Sequence, residues 1–177
     1  MPHIHTELGQ HDLVVSAFII RTDGPEPRAV LHLHKKLNRW MQFGGHVELN
    51  ETPWQAIAHE LREETGYELD QLKLLQPKLR IEQVDGAQLH PIPVCINTHP
   101  IPDNHFHTDL EYAFVTDQPP RFAPDDGEST HIKLMSSADI RGMHAEQATS
   151  NSNVVFLQII EKFLHEWEAV DPRTFQL

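Results

Sequence analysis

The stretch GGHVELNETPWQAIAHELREETGY, residues 44–67, constrains this chain most, because it marks both ends of one helix. Thr52 is placed to act as N-cap, Pro53 occupies the first helical position, and Gln55 completes a capping box. Gly66 is a natural stop just past the last helical residues. On a 3.6-residue wheel Trp54, Ile57, Ala58 and Leu61 share the side expected to face a core. Glu60, Glu63 and Glu64 lie together along the edge of that stripe, and Gln55, His59 and Arg62 fill the remainder. Like charges at these spacings repel by roughly a few tenths of a kcal/mol per pair. A divalent cation would offset that repulsion, although three glutamates on one face also describe a solvated surface. Gly44 and Gly45 ahead of the helix permit close backbone approach to a ligand or a turn with positive φ.

The flanking segments alternate between strand and turn chemistry. Residues 13–21 (LVVSAFIIR) are β-branched and apolar, residues 23–27 (DGPEP) form a turn, and 29–35 (AVLHLHK) read as the returning strand. Residues 72–84 read as one or two strands interrupted at Pro77, and the four prolines of 90–106 require extended or looped chain. Residues 108–116 (TDLEYAFVT) look like a strand, 118–129 like a polar loop, and 131–135 like a short strand before a small helix from Ser137. Residues 154–167 set Phe156, Ile160, Phe163, Leu164 and Trp167 on one stripe, a C-terminal packing helix over about 153–168. Strands on both sides of a motif helix, with a terminal packing helix, make a layered α/β domain. The 177 residues are expected to form one domain, 1–177.

A net charge of −12 argues against a nucleic-acid partner, and makes anionic substrates unwelcome unless a metal neutralises them. The single cysteine, Cys95, suits a reducing compartment. The opening MPHIHTELGQHDL lacks the basic and apolar regions of a secretion signal, and no apolar run is long enough to span a bilayer. A cytoplasmic protein without a membrane partner is the expectation. Of the fourteen histidines, His32/His34 and His105/His107 alternate as strand-face residues do. HFHTD also offers His105, His107 and Asp109 on one face, the donor set of a two-histidine, one-carboxylate iron site.

Residues 45–67 resemble the signature of the Nudix hydrolases. The spaced pattern falls on Gly45, Glu51, His59, Glu60, Leu61, Glu63, Glu64, Gly66 and Tyr67. Tyr67 is a loose match for an aliphatic residue, and His59 stands where the family has Arg. The resemblance implies a Nudix-like α/β/α sandwich with a mixed β-sheet. It implies Mg²⁺ or Mn²⁺ held by the Gly44 carbonyl, Glu60, Glu63 and Glu64. Glu128 would be a further ligand from a late loop, with Asp125 and Asp126 as rivals. Glu60 or Glu64 would be the base, and Glu51 is placed by the family as structural support beside its possible role at the helix N-terminus. The family's Arg at the position of His59 is thought to pair with a motif carboxylate.

The activity so implied is metal-dependent hydrolysis of a phosphoanhydride bond in a nucleoside diphosphate derivative or nucleoside triphosphate. The alternative is a non-catalytic module binding a nucleotide-like ligand as sensor or scaffold. The marks associated with particular Nudix substrates are missing: Glu82 replaces the proline of one subgroup, and Gln83, Val84 and Asp85 occupy the positions of another's tyrosine. Isopentenyl diphosphate isomerases, which share the fold, carry a catalytic cysteine where Gly44 stands.

Overall fold

Strand β1 (His11–Arg21) explains why the molecule is layered, because it is buried on both faces. Val15, Ala17 and Ile19 point to one core, and Phe18 and Ile20 to another. A strand apolar on both faces must be covered twice. The computed structural model describes residues 7–102, 105–144 and 146–177, so residues 1–6 of the opening and 103–104 of the proline-rich stretch lie outside the description.

Among the described residues the sheet has nine strands. β1 runs antiparallel to β2 (Arg28–His34) along its C-terminal half, and to β4 (Phe43–His46) along its N-terminal half. β3 (Arg39–Met41) and β8 (Ile132–Met135) flank β2. On the other side β1 pairs in parallel with β7 (His105–Thr116) along its full length, from His11 beside Phe106 to Arg21 beside Thr116. β7 in turn pairs antiparallel with β5 (Lys73–Gln76) and β6 (Cys95–Ile101), and β5 with β9 (Glu168–Val170). The sheet is therefore mixed, as expected.

Helix α1 (Pro53–Glu60) covers the first face with Trp54, Ala56 and Ile57, joined by Leu61 just past its end, packed on Val15, Ala17, Ile19, Phe43, Tyr112 and Phe114. Helices α2 (Ser137–Gly142) and α3 (Ser150–Gln158) cover the second through Ile140 and Phe156, joined by Ile159 just past the end of α3. The arrangement is an α/β/α sandwich. No helix among the described residues is long and apolar enough to cross a membrane.

Several boundaries differ from the sequence reading. The expected strand material of 72–84 shrinks to Lys73–Gln76. Past Pro77 the side chains of Leu79 and Ile81 face solvent. The Gln76 amide bonds both Ile92 N–H and Ile92 C=O at 2.9 Å, taking the place of a strand partner. β7 starts three residues earlier than expected because its N-terminal end finds partners in β1 and β6. The last helix begins at Ser150, and a π-helical turn (Ile159–Phe163) carries it on to Glu166. On α1 it is Ala56, not Ala58, that is fully buried, so the buried stripe leans toward the carboxylates.

Candidate active site

The two ends of α1 are built as the sequence requires. Thr52 accepts a hydrogen bond from Gln55 N–H at 3.2 Å, and the Gln55 side chain accepts from Thr52 N–H at 2.8 Å. At the other end the helix widens into a π-helical turn (Leu61–Thr65), which carries Glu63 and Glu64 and closes at Gly66 with φ 73°. Such turns are rare and recur at functional sites.

The leaning stripe buries two of the three glutamates. Glu60 and Glu64 are 5% and 8% exposed. Glu64 Oε2 accepts a hydrogen bond from Gly44 N–H at 2.8 Å, and the Glu60 carboxyl lies against Gly45. Both glycines are required by this closeness. Gly44 has φ 140°, and a Cβ there would meet the Val15 carbonyl at 2.0 Å. A Cβ on Gly45 would meet Glu60 Oε1 at 2.1 Å. The glycine pair thus lets a sheet strand lie directly on the carboxylates of the helix beneath it.

Burial dominates the electrostatics. It pushes the Glu60 carboxyl up to about 7, and the charges of Glu63 and Glu128 act in the same direction while His59 opposes them. It pushes Glu64 up to about 8, against the Gly44 hydrogen bond, with Glu60 and Glu128 adding to the rise. Glu60 Oε1 is buried without a hydrogen-bond partner. A dry carboxylate oxygen facing other carboxylates is destabilised unless a cation is near.

Glu63 turns away from this pair. Its Oε1 lies 2.9 Å from His59 Nε2, and His59 Nδ1 is 4.0 Å from Glu51 Oε2. Burial lowers the His59 pKa, but the Glu63 hydrogen bond and the charges of Glu63, Glu60 and Glu51 outweigh it, so the net shift is upward. Glu51 also accepts Glu48 N–H at 2.9 Å, closing the turn before the helix. His59 therefore occupies the bridging place between two carboxylates.

The loop of residues 118–129 is stitched over the end of the helix. Asp125 N–H donates to Glu63 C=O at 2.8 Å, and Phe122 N–H to Gly66 C=O at 3.2 Å. Ser129 Oγ bonds Leu33 C=O at 2.8 Å, fixing the loop to β2. Of the three acidic residues singled out in this loop, Glu128 is the one whose charge acts on both Glu60 and Glu64. Asp125 and Asp126 are exposed, whereas Glu128 is half-buried.

The glutamates do not converge into a tight trio. Among the described residues the group of three donor atoms that all lie within 4.8 Å is Asp12, His105 and His107. The paired histidines do lie on strand faces, but one of each pair is buried where a polar face was expected. His32 and His105 are buried, and burial drives the His32 pKa down to about 4 against Phe43 at 4.7 Å. Asp109, expected beside His105 and His107, instead accepts Ser16 Oγ–H at 2.8 Å. The carboxylate among the histidines comes from β1, a residue that sequence reasoning missed because only the parallel pairing brings it there.

A family model of the NUDIX domain matches residues 10–157. No curated protein matches the chain. Among solved structures, a NUDIX-family hydrolase from Clostridium perfringens is 28% identical with a TM-score of 0.68, over 85% of this chain and 96% of that one. A C. elegans Ap4A hydrolase in a binary complex is 18% identical, TM-score 0.59, covering 85% and 97% of the two chains. The NUDIX domain of Shewanella oneidensis NrtR, complexed with ADP ribose, is 14% identical, TM-score 0.62, covering 88% and 89%. The last two likenesses bear on the fold.

Proposed function

The chain belongs to the NUDIX domain family, and on that premise we propose that it hydrolyses a phosphoanhydride bond with a divalent cation, Mg²⁺ or Mn²⁺. The substrate class is a nucleoside diphosphate derivative or a nucleoside triphosphate. One observation carries the reading: two buried carboxyls, Glu60 and Glu64, are pressed against a glycine loop, and Glu60 Oε1 lacks a hydrogen bond.

These residues fit a hard cation. The carboxylate and carbonyl groups named here offer oxygen donors, the donor set that Mg²⁺ and Mn²⁺ prefer. Glu60, Glu63 and Glu64, with the Gly44 carbonyl and Glu128, would hold the ion. When bound, such an ion neutralises phosphate charge and acidifies a coordinated water.

The chain's own groups then divide the work. Glu64 is committed to Gly44 N–H and so fixes the glycine loop to the helix. Glu60 keeps an oxygen available and is assigned the proton from the attacking water. His59 holds Glu63 and Glu51 in place, the part that the family resemblance assigns to an Arg at this position. The long strand pair β1 and β7 forms a rigid base, so the loop and helix stay aligned while a phosphate chain binds.

A panel of nucleoside triphosphates and nucleoside diphosphate derivatives, assayed with Mg²⁺, Mn²⁺ or chelator, tests the reading. Cation-dependent release of a phosphorylated product from at least one compound is the expected result. Tight binding of a panel member with no turnover in either cation would favour the sensor or scaffold alternative.

A further inference from the structure

A second polar cluster lies at the N-terminal ends of β1 and β7, on the opposite face of the sheet from α1. Parallel pairing sets Asp12 of β1 beside His107 of β7, and the strand period of two puts His105 on the same face. Asp12 and His105 are buried and His107 is half-buried. The antiparallel partner β4 adds His46, paired with Val14, whose ring meets that of His107 edge-on at 4.9 Å. Two imidazole nitrogens are directed at one oxygen: His46 Nε2 is 3.6 Å and His105 Nε2 3.9 Å from Asp12 Oδ2.

We propose that Asp12, His105 and His107 form a site for a divalent first-row transition ion such as Zn²⁺, separate from the glutamate patch, with His46 at its rim. Three arguments converge. The donors are two imidazoles and one carboxylate, a set that suits Zn²⁺ or Fe²⁺ and is not the all-oxygen set of Mg²⁺. The 3.9 Å between His105 Nε2 and Asp12 Oδ2 is too long for a hydrogen bond between those two groups. It lies within about 0.5 Å of the ~3.4 Å between neighbouring ligands of one tetrahedral ion whose bonds are about 2.0–2.1 Å.

Charge decides between cation and anion. A phosphate or other anion would be placed against the Asp12 carboxylate, whose side chain is 0% exposed. A cation would be neutralised by that carboxylate and ligated by the rings, so the cluster selects a metal. The location suggests what the ion does. It would join the N-terminal ends of β1 and β7, next to the strand that carries Gly44 and Gly45. It is a clamp on the sheet beneath the glycine loop.

The test is metal retention, which is independent of turnover. Protein stripped with chelator is incubated with Zn²⁺ or Co²⁺, desalted in excess Mg²⁺ to occupy oxygen sites, and analysed by mass spectrometry of the metal. Wild type and Glu64→Gln should each retain about one equivalent. His105→Ala/His107→Ala should retain less than about a tenth of that, and His107→Gln should bind at least ~10-fold more weakly. His107 is half-buried, so His107→Gln decides the matter if the double variant does not fold, with circular dichroism as the check on folding. The Co²⁺ absorption of wild type should show nitrogen ligation and change in His107→Gln. Failure of wild type to retain either ion, equal retention by folded His107→Gln, or an oxygen-only Co²⁺ spectrum would each overturn the proposal. Loss of metal in Glu64→Gln alone would also overturn it, by placing the ion at the glutamates.

Discussion

The helix patch and the strand cluster are both carboxylate-bearing, and they differ in how they are assembled. Glu60, Glu63 and Glu64 lie within five consecutive residues of one helix, yet their oxygens stay apart, held by Gly44, by burial and by His59. Asp12, His105 and His107 come from strands about ninety residues apart in sequence, yet their donor atoms gather within 4.8 Å. Local spacing therefore places charges on a face without bringing them together, while sheet register brings them together without any local sign. The helix patch offers carboxylate oxygens, the donors that the proposed Mg²⁺ or Mn²⁺ site needs. The strand cluster is a compact nitrogen and oxygen set that resembles a fixed ion site.

The largest expected effect separates support of the patch from its chemistry. Gly44→Ala must place a Cβ about 2.0 Å from the Val15 carbonyl at φ 140°, and neither backbone can move easily. It should cost roughly 3 kcal/mol in urea unfolding. Gly45→Ala meets the Glu60 side chain instead, so it should cost roughly 1 kcal/mol of stability while displacing Glu60 and depressing turnover. Equal stability losses in the two variants would mean that the loop does not rest on the sheet and helix as described.

Next in size is the loss from changing one carboxyl. Glu60→Gln keeps the shape and removes the charge, and steady-state kinetics should show kcat falling by about 10²-fold or more, or ~2.7 kcal/mol. A near wild-type rate would remove Glu60 from the chemistry and leave burial alone to explain its raised pKa.

The pH dependence of stability distinguishes the patch from an ordinary acidic surface. Glu60 and Glu64 bind protons more tightly in the folded protein than in the unfolded one. Their stabilising contribution is complete below the unfolded glutamate range near 4.5 and is lost as pH rises through about 7 and about 8. Asp109, pushed up to about 7 chiefly by burial, acts with the same sign. In chelator, thermal unfolding should therefore shift down between pH 5 and pH 8.5 by roughly 4–8 °C, about 2 kcal/mol. Added Mg²⁺ should recover part of the shift in wild type but not in Glu60→Gln/Glu64→Gln. A flat profile in chelator would contradict the burial argument.

The patch and the cluster were unequally legible in the sequence for the same reason. The capping box of Thr52 and Gln55, the stop at Gly66 and the core face of Trp54, Ile57 and Leu61 depend on neighbours within one or two turns, and all are present. The layered fold was legible in strand-like segments on both sides of the motif helix, the apolar run of residues 13–21 among them, and in the terminal packing helix. Asp12 could not be found beside the histidines, since nothing local reports that β1 and β7 run parallel. The length of β5 was also misjudged, because Leu79 and Ile81 lend residues 72–84 an apolar pattern that no partner strand covers.

The smallest expected effect concerns His59, whose side chain is 43% exposed and whose ion pair with Glu63 is at the surface. Such pairs contribute about 0–1 kcal/mol. Its raised pKa gives a contribution that is present below the ordinary histidine range and lost as pH climbs through the folded value. His59→Ala should therefore reduce kcat/KM less than about tenfold at pH 8.5, and His59→Arg should preserve or raise it there. A hundredfold loss in both variants at that pH would give His59 a direct part in binding or catalysis.

The division of labour between patch and cluster is tested most directly by measuring kcat with saturating Mg²⁺ for Glu64→Gln and His107→Gln side by side, on whichever panel compound wild type hydrolyses. Glu64→Gln should fall by about 10²-fold or more, and His107→Gln should stay within about threefold of wild type. A near wild-type rate for Glu64→Gln, together with a hundredfold loss in His107→Gln, would contradict the account and move the chemistry from the helix to the strands.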